Sequence, residues 1–361
     1  MNRTIIDALA ILTAILLLIF TAFAFNYKKG ITIRHRILAA FLFANALFII
    51  DFSIDAIQAA TGLNLQWFSG IGFSFGYLFG PLLYLYNHSI TDEDFKLVPL
   101  QFLHILLFIA VFVLFLIKTG IPHLYFYFAL YLQITPYMIA CFLLISQYRN
   151  RIKNFYSSLN KLNLTWMLYV VGAFFFMWMI DLIDFIRFYL KLTFPFDPVY
   201  LTFFSLFINF IFAILIFYKA LQHPEIFTGI PEHERLQKYE QSRLTEEEKM
   251  NYLKKLQQYF INEKPFLKPE LTIAEVASDL NLSTKYLSQV INESIGKNFY
   301  DYINSYRIEE AKKQLIKDSS RKTVLEVLYE SGFNSKSAFN TAFKKHTGYT
   351  PSEYRKRPMI N

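Results

Sequence analysis

Seven long apolar stretches follow one another in the first 221 residues, and no other feature narrows the fold so much. They run approximately Ile5–Phe25, Ile37–Ile57, Phe68–Asn87, Leu97–Ile117, Leu124–Ile145, Leu164–Leu190 and Val199–Leu221. Each is close to the roughly 20 residues that a helix needs to cross a hydrocarbon core. Inside that core every backbone N–H and C=O must find a partner within the segment, which favours helices. Buried helices of a soluble protein would need polar stripes, and these runs carry none. The sequence therefore predicts an all-α chain that opens as a seven-helix transmembrane bundle, residues 1–221. The first run is too long for the apolar centre of a signal peptide and no small-residue cleavage pattern follows it, so it is expected to stay as a span.

Charge gives the orientation. The loops after spans 1, 3 and 5 hold Lys28, Lys29, Arg34, Arg36, Lys96, Arg149, Arg151, Lys153 and Lys161, against Arg3, Lys118 and Lys191 on the other side. Nine against three places the N-terminus outside and the C-terminus in the cytoplasm. Beyond Leu221 the composition changes: residues 1–221 contain 14 Lys and Arg with 9 Asp and Glu, whereas residues 222–361 contain 22 and 19. The second part reads as soluble, with 222–263 a linker and connecting helix and 264–361 a separate domain.

Ionisable groups inside spans are costly and so point to use. Asp51 and Asp55, four apart on span 2, are expected on one helical face, and Asp181 and Asp184 on one face of span 6 with Arg187 a turn further. These five either line a sensory pocket open to the outside or serve as structural ties such as Asp184 with Arg187. Asn45, His104, Gln133 and Asn209 read as interhelical hydrogen bonds. Gly72, Gly76 and Gly80 place three glycines along one face of span 3, where a neighbouring helix can approach closely. Span 7 lacks the buried lysine of a retinal receptor, and no intramembrane Asp follows a Gly-x-Gly run as in an intramembrane protease. The single cysteine, Cys141, excludes a disulfide framework and a Cys-based metal site.

The second part repeats one design. Thr272-x-x-Glu275 is a capping box opening a short helix with Ile273, Val276, Ala277 and Leu280 inward; an Asn281-Leu282 turn follows, and Ser283 opens a second helix. The pattern returns at Thr323-x-x-Glu326, with a Gly332-Phe333-Asn334 turn and a helix from Ser335 that Gly348 stops. Phe299 to Lys317 reads as the helix joining them. Ahead of both, Thr245-x-x-Glu248 caps a helix that either signals or braces the next domain. Short helix, tight turn and second helix make a helix-turn-helix, whose second helix enters a DNA major groove.

The run Gly332-Phe333-x-Ser335-x-x-x-Phe339-x-x-x-Phe343-Lys344-x-x-x-Gly348-x-Thr350-Pro351-x-x-Tyr354-Arg355 resembles the signature of the AraC/XylS family of bacterial transcription regulators. The spacer Asn304-Ser305-Tyr306-Arg307-x-x-x-Ala311 is similar to the same domain, and the whole layout looks like a membrane-tethered form of it. The resemblance implies two recognition helices in successive major-groove segments of double-stranded DNA. The positions free to reach it are Thr284, Lys285, Ser288, Gln289 and Asn292 in the first, and Lys336, Ser337, Asn340, Thr341, Lys344 and Lys345 in the second. Gln and Asn suit adenine edges, and Lys suits guanine or phosphate. Asn340 stands where the family often has Arg, so its base preference does not transfer. Residues 321–361 hold 8 basic and 3 acidic side chains, which favours phosphate attraction by the second unit.

The resulting expectation is a sensor and transcription regulator in a bacterial inner membrane, in contact with lipid and an external or intramembrane ligand, with a homodimer as one arrangement. No nucleophile–base set, metal-ligand cluster or phosphate loop is evident, so neither enzymatic chemistry nor a cofactor is expected. The rival reading is a transporter or channel with a regulatory DNA-binding tail.

Overall fold

The computed structural model describes residues 3–27, 32–92, 95–159, 164–193, 199–222, 244–317 and 322–356. Lys28, Lys29, Lys161 and the connector up to Arg243 lie outside the described residues. The chain divides into two compact units, Met1–Ser146 with Thr165–Pro231, and Gln147–Leu164 with Glu232–Asn361. Both are helical, and the described residues hold no strand, only one isolated bridge between Tyr156 and Thr272.

In the first unit α1 (Arg3–Asn26), α2 (Thr32–Phe52), α3 (Ile54–Thr61), α4 (Ile71–Ser74), α5 (Phe79–Thr91), α6 (Leu106–Leu116), α7 (His123–Ile152), α8 (Thr165–Tyr189) and α9 (Val199–Gln222) follow in order. Six described helices are long and apolar enough, by length and composition, to cross a membrane. The third apolar stretch differs from expectation: it is segmented, α4 passing through a 3-10 turn at Phe75–Leu78 into α5. The glycines explain how this stretch packs. A Cβ on Gly72 or Gly76 would strike Leu47, Phe48 or Asp51 of α2, and one on Gly80 would strike Tyr137 of α7. The glycine face is thus used inside the bundle. Arg34, buried at the start of α2, donates from Nε to the Ser89 carbonyl at 2.7 Å and ties α2 to α5.

The second unit holds α10 (Glu246–Asn262), α11 (Ile273–Asp279), α12 (Thr284–Ser294), α13 (Phe299–Lys317), α14 (Val324–Glu330), α15 (Lys336–Thr347) and α16 (Pro351–Lys356). The helix starts are local chemistry: Thr245, Thr272 and Thr323 each accept from the backbone N–H three residues on, and the paired glutamate returns to the threonine N–H. Two cores form. Leu256 and Phe260 of α10 pack with Ile273, Val276, Leu287 and Ile291, so α10 acts as a brace on the first helix-turn-helix. Val327, Leu328, Phe333, Phe339 and Phe343 form the second. The joining helix α13 serves both: Phe299, Tyr302 and Ile303 enter the first core, Ile308, Ala311 and Leu315 the second.

Candidate nucleic-acid interface

Each unit presents its second helix by burying one face of it. In α15, Ser335 Oγ accepts from the Ala338 N–H at 3.3 Å, and Gly348 closes the helix at φ +79°. Phe339, Ala342 and Phe343 are buried, which forces Lys336, Ser337, Asn340, Thr341, Lys344 and Lys345 outward, and all six are exposed. Lys345 is held by Asp301 at 2.8 Å; the side chains of the other five make no hydrogen bond or ion pair with the described residues. Five uncommitted donors on one face, with the exposed Lys356 on α16 nearby in sequence, form a surface suited to phosphate and base edges. Partial desolvation and the nearby Lys297 and Lys345 hold the His346 imidazole below its usual range.

The first recognition helix, α12, is more occupied. Ser283 Oγ accepts from the Tyr286 N–H at 3.2 Å, and Leu287, Val290 and Ile291 are buried. Thr284, Lys285 and Gln289 are half-buried and Asn292 is exposed. The outward assignment of Ser288 is corrected: it is 1% exposed, and its hydroxyl accepts from Asn292 Nδ2 at 3.2 Å. α10 lies along the edge of α12 that carries Tyr286 and Glu293: Lys249 pairs with Glu293 at 2.6 Å and Tyr252 stacks on Tyr286 with ring centroids 6.4 Å apart. Gln289 also donates to Glu293, at 3.1 Å.

A polar joint is built around Arg307, whose partners no local pattern announces. Arg307, on α13 and 1% exposed, donates to the carbonyls of Phe266 (2.8 Å), Lys268 (2.7 Å), Pro269 (3.1 Å) and Ser157 (3.1 Å), and to Ser157 Oγ (3.1 Å). Burial pushes its guanidinium down to about 10, so it stays charged at neutral pH. Ser157 belongs to a short extended segment after α7, within the same compact unit. Ser157 N–H donates to Leu271 O at 3.1 Å; Phe155 O and Lys153 O accept from the amides of Ile273 and Tyr300, both at 2.9 Å. Ser158 Oγ donates to Asn334 Oδ1 at 3.1 Å, in the second turn. Residues 153–158 thus touch both helix-turn-helix units and the helix joining them. No periodicity marks this stretch in the sequence. Gly332 fits the joint for a related reason: at φ +90° a Cβ would run into the Phe266 carbonyl.

The five acidic and basic groups of the first unit part company. The expectation that Asp51 and Asp55 share a helical face is corrected, because the helix breaks at Ser53 between α2 and α3. Asp51 Oδ1 instead accepts from the Gly70 N–H at 2.8 Å, and Asp55 Oδ1 from Gln66 Nε2 at 3.1 Å, so both tie down the connection into α4. Asp181 and Asp184 line a cavity of about 750 Å³, and Arg187 Nε holds Asp184 Oδ1 at 2.8 Å. His104 and Gln133 make the interhelical bonds expected, to Tyr137 OH (2.7 Å) and Tyr77 O (2.9 Å). Asn45 Nδ2 and Asn209 Oδ1 do not; both are buried without a partner.

Comparison with known proteins agrees with the second unit. A family model described as a helix-turn-helix domain matches residues 276–357. An uncharacterised helix-turn-helix transcriptional regulator of Pseudoalteromonas carrageenovora is 38% identical over 87 residues, 24% of this chain and 50% of that one. A putative AraC-like transcription regulator of Streptomyces antibioticus is 33% identical over 88 residues, 24% of this chain and 28% of that one. The solved C-terminal domain of AraT, a response regulator from Geobacillus stearothermophilus, is 32% identical, covering 33% of this chain and 92% of that one, with a TM-score of 0.27. The chain thus spans half or less of these two relatives' own length. The matched residues, the doubled motif and the exposed recognition helix agree: this chain carries at its C-terminal end a helix-turn-helix domain of the AraC type, the module of DNA-binding transcription regulators.

Proposed function

We propose that the protein is a membrane-anchored, sequence-specific transcription regulator, whose spanning unit governs the DNA-binding unit through residues 153–158. The observation that carries this reading is the Ser157–Arg307 joint. Residues 153–158 continue directly from α7, one of the six candidate spans. The same residues are hydrogen-bonded to the start of α11, to α13 and to the second turn. A shift at the end of α7 therefore has a bonded route to both recognition helices. Loop charge supports the topology independently, since it puts this loop and the C-terminal domain on one side of the membrane. The DNA contacts fall to Thr284, Lys285, Gln289 and Asn292 on α12 and to Lys336, Ser337, Asn340, Thr341, Lys344 and Lys345 on α15, with α15 supplying most of the phosphate attraction.

The test uses the full chain in lipid nanodiscs and a promoter fragment recovered from DNA bound in cells. Ser157→Pro removes the N–H that pairs with Leu271 and should change DNA affinity toward that of the soluble segment 244–361. Lys344→Ala should weaken binding without changing the joint. If Ser157→Pro binds DNA as the unaltered chain does, while 244–361 alone binds differently, the joint is not the coupling element.

A further inference from the structure

We propose that the cavity lined by Asp181 is a binding site for an organic cation, an ammonium carried on an aromatic or apolar body with at least one hydrogen-bond acceptor. This rests on the sensor reading above and names what the sensor would take. The cavity, about 750 Å³, lies among α2, α5, α7, α8 and α9 of the first unit, and its size suits a small organic molecule. Its wall is mostly aromatic: Tyr127 and Tyr131 each pack on Phe185 at 5.8 and 5.2 Å between centroids, and Tyr131 meets Trp178 edge-on at 6.3 Å. Faces of Tyr and Trp attract a desolvated cation by about 2 kcal/mol or more.

Charge decides the ligand's sign. Asp184 is neutralised by Arg187, whereas Asp181 has the Ser205 hydroxyl, at 2.9 Å, as its one hydrogen-bond partner among the described residues. Asp181 is exposed, so a ligand can reach it, and on a membrane-spanning helix a carboxylate without a cation is costly, a cost that a bound ammonium removes. Three further polar atoms in the wall await partners. Asn45, 1% exposed, has Nδ2 unbonded, Trp178 has Nε1 unbonded, and Asn209 has Oδ1 unbonded. All three atoms are closed to water in this arrangement, so a ligand reaches them only once the side chain turns toward the cavity; two would then donate and one accept. An anion would meet Asp181 unfavourably, and an acyl chain would leave its charge uncompensated and the three other atoms unpaired.

The probe is choline phenyl ether, against its carbon isostere 3,3-dimethylbutyl phenyl ether, which keeps shape and ether oxygen and lacks the charge. Binding is measured to the full chain in nanodiscs, without DNA. The cation should bind saturably and at least tenfold more tightly than the isostere. Asp181→Asn should erase that ratio and Asp181→Glu should keep it. In a chain with Trp67→Phe and Trp166→Phe, Trp178 emission should shift with the cation, which decides the matter even where Asp181→Asn fails to insert. Equal binding of the two probes, no saturable binding, or a ratio untouched by Asp181→Asn overturns the proposal. A cation that binds selectively but leaves DNA affinity unchanged keeps the site and refutes the sensor reading instead.

Discussion

Replacing Arg307 by methionine should loosen residues 153–158 from the helix-turn-helix domain while leaving that domain folded. Arg307 reaches Ser157 through two bonds, Nη1 to the backbone carbonyl and Nη2 to Oγ, both 3.1 Å and both buried. A hydrogen bond from a charged donor contributes about 1.5–3 kcal/mol, and a buried carbonyl left without a donor loses about 1–3. Methionine offsets part of this by filling the volume and removing a buried charge that faces carbonyls rather than a carboxylate. The net loss for the segment is about 1.5–3 kcal/mol, roughly a 10- to 100-fold rise in its opening constant. Amide hydrogen exchange on the full chain in nanodiscs reads this at Ser157, Ile273 and Tyr300, whose N–H groups pair across the joint. These three should exchange about 10- to 100-fold faster, with the amides of α15 much less affected. Arg307→Lys should lose most of the same protection, since a single ammonium cannot reproduce the planar fork. Exchange within threefold of the unaltered chain, or Arg307→Lys behaving as arginine does, would refute the reasoning.

Phe339→Ala should destabilise the soluble segment 244–361 by about 3–5 kcal/mol, because the ring is fully buried, whereas Lys344→Ala should leave its melting unchanged and weaken DNA binding. Circular dichroism and a DNA titration separate the two; a larger melting shift for Lys344→Ala would reverse the assigned faces. DNA affinity should fall steeply with salt, by about one unit of log–log slope per phosphate neutralised, and a flat titration would count against phosphate-led binding. Gly332→Ala should destabilise by 2 kcal/mol or more, of the order of strain plus a clash with the Phe266 carbonyl, measured by chemical denaturation. The Glu326 carboxylate, bonded to Thr323, is held below its usual range. Its contribution is therefore present above about pH 4.5 and lost on acidification through the lower folded value, and Glu326→Gln should flatten that part of the stability–pH curve.

The second unit was legible because its signals are local. Thr272–Glu275 and Thr323–Glu326 write helix starts directly, Gly348 writes a stop, and the spacing of Phe339 and Phe343 fixes which face of α15 is free. Ser288 was misplaced because it borders the buried Ile291 on the wheel of α12, and periodicity alone does not say where a buried face ends. No proline or glycine announces the break at Ser53, and the bonds from Gly70 and Gln66 to the flanking Asp51 and Asp55 are tertiary, outside the reach of local pattern. Ser157 was missed for the same physical reason: a loop that pairs with a distant arginine shows neither period nor charge. Asp181 and Asp184 stood out by their cost in a membrane; Asn45 stood out too, but as an interhelical hydrogen bond that its unbonded Nδ2 does not make.

A map of DNA crosslinked in living cells to the full chain, recovered from the membrane fraction and sequenced, tests the proposed function most directly. A discrete set of enriched sites in that fraction, lost on Lys344→Ala together with Asn340→Ala, is the result that a membrane-anchored regulator requires. No enrichment in the membrane fraction, or the same sites recovered from the double variant, would contradict it.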